Sequence, residues 1–406
     1  MNRYIIEDAN RCLQCQKPLC SAGCPIGTPI KEVIRLFLDS KMLEAGELLF
    51  ENNPLSLVCC HVCPQENQCE GHCVLAKKGT PVFISAIEQY ISDYYLNIYN
   101  PKPSLKKRGK VAIIGSGPAG ITIAFSLARK DYDVTIFEGY DQIGGIMRYG
   151  IPEFRLPKSI LDRLTDKLIE IGVKIRPNAM VGININIDDL FRDGYRAVFM
   201  GTGTWRPNKL GVKGESLGHV HFAVEYLKNP NVYRLGKSLI VIGAGNVAMD
   251  VARTAFRHGC KDVLIVFNKD ESSITARAHE VQYAKIDGAK FEMNKATVEI
   301  IDEGVILADA DKQSKAISGT EKLYPADSVI VAIGQGPRSI IVSSTKGIDI
   351  NERGLVAVDE YGHTSREGVF ASGDVVTGAK TVVEAVVASR KVADAIDKYI
   401  TDKWKQ

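Results

Sequence analysis

Three stretches early in the chain place their apolar residues at close to a 3.6-residue period: IKEVIRLFLDS, MLEAGELLFENN and VFISAIEQYISDYYL. The first follows Thr28-Pro29 and the third Thr80-Pro81, so each is expected to start with a hydroxyl at the N-cap and proline at the first helical position. The second is expected to end at Asn53-Pro54. Residues 1–100 thus read as helix and loop. NPKPSLKKRGK (100–110), with two prolines and five basic residues, breaks the periodicity and reads as a linker with a solvated charge run.

From residue 110 the texture becomes strand, glycine turn, helix. KVAIIGSGPAGITIAFSLARKDYDVTIFE is a buried strand, a tight turn, an apolar helix and a second strand. KSLIVIGAGNVAMDVARTAFRHGCKDVLIVF (237–267) repeats the plan, which predicts two nucleotide-binding lobes. ATVEIIDEGVILA and KLYPADSVIVAI predict an antiparallel meander and a return strand, and GVFASGDVVTGAKTVVEAVVASRKVADAIDKYI a strand, an acidic turn and a final helix.

Composition narrows the classes. The 406 residues suffice for two or three domains of roughly 150 residues. A net charge of +3 is too mild to point to nucleic acid. No apolar run reaches membrane-spanning length and MNRYIIEDANRC has no apolar leader, so no membrane association and a cytoplasmic location are expected. The 36 glycines call for close backbone approach somewhere.

Of the ten cysteines, nine precede position 74. They form Cys12-x2-Cys15-x4-Cys20-x3-Cys24-Pro25, then Cys59-x3-Cys63-Pro64 and Cys69-x3-Cys73, with Cys60 extra. Zinc sites favour paired C-x2-C knuckles and only one occurs; cysteine-proline after the last ligand of a run suits iron–sulfur ligation. Eight such thiolates fit two [4Fe-4S] clusters that exchange a ligand between the groups. Cys60 and Cys260 read as packing residues, and the histidines, His61 and His72 included, show no metal spacing.

Gly115-Ser116-Gly117-Pro118-Ala119-Gly120 lets the backbone approach a pyrophosphate at a helix N-terminus, and Glu138 closes the next strand, where a carboxylate accepts ribose hydroxyls. Gly243-Ala244-Gly245-Asn246-Val247-Ala248 is the second fingerprint. Its following strand ends in Asn268-Lys269, neither the acid of NAD sites nor an arginine for a 2′-phosphate. Arg277 could still reach a phosphate or be a surface charge, so NADH and NADPH both stay open, with a tilt to NADH. Gly373-Asp374 can offer a carboxylate to a ribityl hydroxyl, and Ala379 to Val382, Thr381 included, open a helix whose N-terminus can face a flavin. Gly201-Thr202-Gly203 and Ala332-Ile333-Gly334 read as crossings between lobes.

At RCLQCQKPLCSAGCP, ENNPLSLVCCHVCPQENQCEGHC, VAIIGSGPAG, GGIMRYGIPEFRLPK, VIGAGNVAMD and ASGDVVTGAKTVVEA the chain resembles, over nearly its full length, the electron-input flavoproteins of glutamate synthase (small subunit) and dihydropyrimidine dehydrogenase, most of all the stand-alone bacterial NAD-dependent subunit of the latter. The resemblance implies an α/β fold: an N-terminal all-α iron–sulfur domain (1–108), a split FAD domain (109–207 and 333–406) and an NAD(P)H domain (208–332). It implies one cluster on Cys12, Cys15, Cys20 and Cys73. The other takes Cys24, Cys63, Cys69 and a non-cysteine ligand at Gln89, with Cys59 close enough to compete. It also implies FAD contacts from Arg155 beside Gly144 and Gly145, with Val181 a further candidate. Asn268 stands where the NADPH-using members carry arginine.

The expected activity is NAD(P)H oxidation through FAD and two [4Fe-4S] clusters to a partner: a glutamate synthase large subunit, a pyrimidine-reducing subunit or ferredoxin. Positioning rather than an acid–base residue does this chemistry, so no catalytic side chain is expected. A disulfide reductase would need a dithiol beside the flavin, and after residue 110 only Cys260 remains. Reverse flow from ferredoxin to NAD(P)+ and a non-turning relay subunit are the alternatives.

Overall fold

A computed structural model describes residues 3–404. The chain divides into two compact units: Met1–Met147 with Glu153–Thr204 and Pro337–Gln406, and Arg148–Pro152 with Trp205–Gly336.

The first unit opens with helices Arg3–Asn10, Ile30–Leu38, Met42–Asn52, Ser56–Val62 and Ile84–Ile98. Their apolar stripes meet in a core that includes Ala9, Ile30, Ile34, Phe37, Leu49, Ile87 and Ile91. The expected hydroxyl caps do not form. Helix Ile30–Leu38 has Pro29 at its N-cap and no side-chain cap, and Thr28 is buried with its hydroxyl turned elsewhere. Helix Ile84–Ile98 starts after Phe83, and remote carboxylates serve its first turn: Phe83 N–H donates to Asp8 at 2.7 Å and Ser85 N–H to Glu70 at 2.9 Å. The prolines hold the preceding residues extended, so each threonine falls a residue or more short of the cap. The basic side chains of the 100–110 segment are mostly exposed, yet its backbone is docked: Ser104 N–H bonds Ile171 O at 2.8 Å and Leu105 N–H bonds Asp131 at 2.8 Å.

The remainder of this unit is a five-stranded parallel sheet in the order 369–371, 195–200, 110–114, 133–137, 174–176. Helices Pro118–Ala128 and Val382–Lys403 belong to the same unit and pack against each other. Val111, Ile113, Ile136 and Phe199 are fully or almost fully buried, as the near-continuous apolar strands of a covered parallel sheet require.

The second unit has the same plan. Its parallel sheet runs 220–222, 328–331, 238–242, 262–266, 290–292, with helix Asn246–Arg257 after the central strand. Strands 295–301, 304–309 and 322–325 form the antiparallel meander. Cys260 lies in this unit's apolar core. No helix among the described residues is long and apolar enough to cross a membrane.

Candidate functional site

In the first unit four glycine segments meet. Gly115 has φ +92°, and a Cβ there would lie 2.6 Å from the Gly201 carbonyl oxygen. A Cβ on Gly120 would lie 2.0 Å from the Gly115 carbonyl oxygen, so only glycine lets the helix Pro118–Ala128 seat against its strand. Gly145 (φ +51°) approaches Gly117, Gly144 N–H bonds Ser116 O at 3.1 Å, and Gly373 (φ +75°) sits against Ala119. Gly117 itself faces open space, with nothing within 4 Å of an added Cβ. That is the cradle a pyrophosphate requires at a helix N-terminus, with Pro118 at the first helical position.

Glu138 is buried beside this turn, accepting from Ser116 N–H at 2.9 Å, from the Ser116 hydroxyl and from Tyr140 N–H at 2.8 Å. Asp374 accepts from Lys380 N–H at 3.2 Å, and burial pushes its carboxyl up to about 6, with Glu384 adding to the rise. Thr381 caps the last helix in a capping box: its hydroxyl accepts from Glu384 N–H at 3.3 Å, and Glu384 accepts from Thr381 N–H at 3.0 Å. Val382 follows, buried. Arg155 is half-buried before helix Lys158–Glu170, and Val181 is in the apolar core of the lobe.

In the second unit Gly243 has φ +126° and approaches the Ala332 carbonyl oxygen, and Asn208 N–H bonds Gly334 O at 3.1 Å. Segment 275–277 lies along the turn: Ala276 N–H bonds Ala244 O at 3.2 Å, Arg277 N–H bonds the Asn246 side chain at 3.0 Å, and Thr275 is the neighbour of Gly245. Arg277 is therefore not a surface charge. It is 8% exposed and paired with Glu280 at 2.8 Å, and Glu280 also holds Arg253 at 2.8 Å. Asn268 and Lys269 are exposed at the end of their strand, and Val247 and Ile333 are partly exposed.

The cysteines sort into two cavities. Cys12, Cys15, Cys20 and Cys73 line one; Cys24, Cys59, Cys63 and Cys69 line the other, with Cys60, Glu88 and Val383. Gln89 is not brought there. It is exposed, and the side chain presented to the second cavity is that of its neighbour Glu88, because the helix turns about 100° per residue. Among the described residues no trio of His, Cys, Asp or Glu is arranged to hold a single metal ion. Sulfurs spread around a cavity suit a multi-iron cluster better than one ion. Burial raises the Cys12, Cys20 and Cys69 thiols; a hydrogen bond with Cys59 and then burial raise Cys63. Without metal these are inert thiols, which coordination would deprotonate. Burial also pushes Glu88 up to about 8, Glu70 contributing.

Sequence reading missed Glu88, Glu280 and the polar groups around the second cavity. Glu88 had a signal, since it lies one residue from Gln89 on a half-buried helix face. Glu280 sits in AHEVQYA with no motif to mark it.

Comparison with known proteins follows the same outline. Residues 109–391 match the pyridine nucleotide–disulphide oxidoreductase family, and residues 1–99 match dihydropyrimidine dehydrogenase domain II, 4Fe-4S cluster. The chain is 32% identical to the glutamate synthase [NADPH] small chain of Escherichia coli K12, covering 97% of this chain and 90% of that protein. It is 33% identical to the NAD-dependent dihydropyrimidine dehydrogenase subunit PreT of Salmonella typhimurium, covering 98% and 94%. Among solved structures, thioredoxin reductase of T. acidophilum superposes with a TM-score of 0.58 at 25% identity, over 72% of this chain and 98% of that one. The chain is thus an oxidoreductase of the pyridine nucleotide–disulphide oxidoreductase family with an N-terminal 4Fe-4S domain, and belongs with the glutamate synthase small chains and dihydropyrimidine dehydrogenase subunits.

Proposed function

We propose that this chain is an electron-input subunit that oxidises NAD(P)H and delivers single electrons to a partner oxidoreductase or ferredoxin. The observation that carries this reading is the sorting of nine cysteines into two cavities, four in one and five, Cys60 included, in the other, in the same compact unit as the first dinucleotide turn. Two [4Fe-4S] clusters would be held within 1–108 by Cys12, Cys15, Cys20 and Cys73 and by Cys24, Cys59, Cys63 and Cys69. FAD would lie in 109–207 with 333–406, against Gly115 to Gly120, Gly144 and Gly145, and NAD(P)H in 208–332. When bound, FAD accepts hydride and the clusters carry single electrons.

The chain's own residues hold and orient. Glu138 offers a fixed carboxylate for ribose hydroxyls, Asp374 offers one for the ribityl chain, and the unpaired first N–H groups of helix Val382–Lys403 supply positive potential for a flavin carbonyl. In the second unit Arg277 is held by Glu280, a carboxylate it shares with Arg253, and Asn268 supplies no cation for a 2′-phosphate. This favours NADH over NADPH. The test is anaerobic mixing of the flavin-loaded protein with each nucleotide while following flavin absorbance. NADH is expected to bleach the flavin faster than NADPH at equal concentration; no bleaching by either defeats the proposal.

A further inference from the structure

Two asparagines end helix Met42–Asn52: Asn53 lines the second cysteine cavity, and Asn52 bonds Thr28, which also lines it. Asn53 Oδ1 accepts from Leu55 N–H at 2.9 Å, which turns its Nδ2 to the Cys59 sulfur at 3.2 Å. Asn52 acts through an intermediary. Arg390 Nη1 donates to the Asn52 backbone oxygen at 2.7 Å and to Asn52 Oδ1 at 3.3 Å. Guanidinium has only donors, so Oδ1 must face it and Nδ2 must face away. That Nδ2 donates to the Thr28 hydroxyl at 3.3 Å. Having accepted there, the hydroxyl has its own proton to place, and Cys24 Sγ lies 3.3 Å away. Thr28 is 5% exposed, so water does not compete for it, and it caps no helix.

We propose that Arg390, Asn52 and Thr28 form a one-way hydrogen-bond relay ending on the Cys24 sulfur, which raises the reduction potential of the group held by Cys24, Cys59, Cys63 and Cys69. This rests on the cluster reading above. Each donor in the relay points its positive end toward the sulfur. Adding an electron to a thiolate-bound cluster increases the negative charge on its sulfurs, so such donors stabilise the reduced form more than the oxidised one. Arg390 lies two helical turns beyond Val383, which lines the same cavity, so one face of the last helix both walls the site and supplies the relay's charge. Arg390 is exposed and solvent screens it, so its share is smaller than that of the buried threonine.

The test is an anaerobic potentiometric titration of the full-length, iron-loaded protein, following each cluster by EPR. Thr28→Val is expected to make one cluster about tenfold harder to reduce, equivalent to about 59 mV for one electron, while the other stays put. Thr28→Ser should restore the wild-type value. Arg390→Gln should move the same cluster in the same direction by less, and Arg390→Lys should move it least. Thr28→Val with full iron and unchanged potentials, or an equal shift in both clusters, overturns the relay. If Thr28→Val does not retain iron, Arg390→Gln decides: no shift overturns the relay, and a shift confined to one cluster supports it. Wild-type protein free of iron would overturn the cluster reading and the relay with it, and iron analysis distinguishes that result from a relay failure.

Discussion

Two alanine substitutions in one turn should separate folding from flavin binding. In Gly120→Ala the new Cβ would lie 2.0 Å from the Gly115 carbonyl oxygen and 3.3 Å from Ile113 Cγ2. The obstructing oxygen is backbone, and Gly115 is itself pinned against Gly201, so helix and strand must part by more than an ångström. Overpacking of this kind costs about 1–3 kcal/mol. In Gly117→Ala the Cβ meets nothing within 4 Å, and φ of −67° suits any residue. The reduced entropy of the unfolded chain offsets the poorer N-cap, leaving stability within about 0.5 kcal/mol. That Cβ nevertheless fills the space reserved for the pyrophosphate. Flavin per chain after purification and unfolding of the flavin-free proteins provide the assay. Both variants should lose flavin, and only Gly120→Ala should lose stability. Gly117→Ala with wild-type flavin occupancy would refute the cradle.

Three further outcomes are expected. The Asp374 carboxyl, raised to about 6 from an unfolded value near 4, contributes stability to the flavin-free chain that is complete below about pH 4 and is lost as pH rises through 6. Relative to Asp374→Asn, the wild type should therefore lose on the order of 2 kcal/mol between pH 4 and 7 in denaturant titrations, and a flat difference would contradict the burial. Glu280→Ala leaves two buried guanidiniums without their shared carboxylate and should cost about 3 kcal/mol in chemical unfolding, a loss under about 1 kcal/mol arguing against the pairing. Cys59→Ala should lower iron from about eight per chain toward about four, whereas Gln89→Ala should leave it at about eight; iron loss in Gln89→Ala would return that residue to the ligand set.

The three early helices, the two strand–turn–helix–strand units, the meander and the last helix were legible because apolar periodicity and glycine spacing are local signals, whereas helix Lys158–Glu170 and the edge strands 174–176 and 290–292 were not. The N-caps were not. Asp8 and Glu70 reach their helix from 75 and 15 residues away, a distance that no local pattern records. Thr28 looked like a cap because Thr-Pro before a helix usually is one, and its partner is a cysteine sulfur instead. The cysteine groups announced themselves by density, but their division between cavities came from the family resemblance, since spacing alone does not say which run lends a ligand to the other. Gln89 missed by one residue for the same reason: the helix was evident but its rotation relative to the cavity was not. Arg277 read as either a phosphate ligand or a surface charge, and no motif marked Glu280, three residues on, which is buried against it.

The central claim is that one chain holds a flavin and two clusters that NADH can fill with electrons. The most direct measurement is an anaerobic reductive titration of the intact protein, with flavin absorbance and cluster EPR read together. Two electrons for FAD and one for each cluster predict uptake of about four per chain, with flavin bleaching and both cluster signals produced by NADH. Uptake of only about two electrons, confined to the flavin and with no cluster signal, would contradict the account.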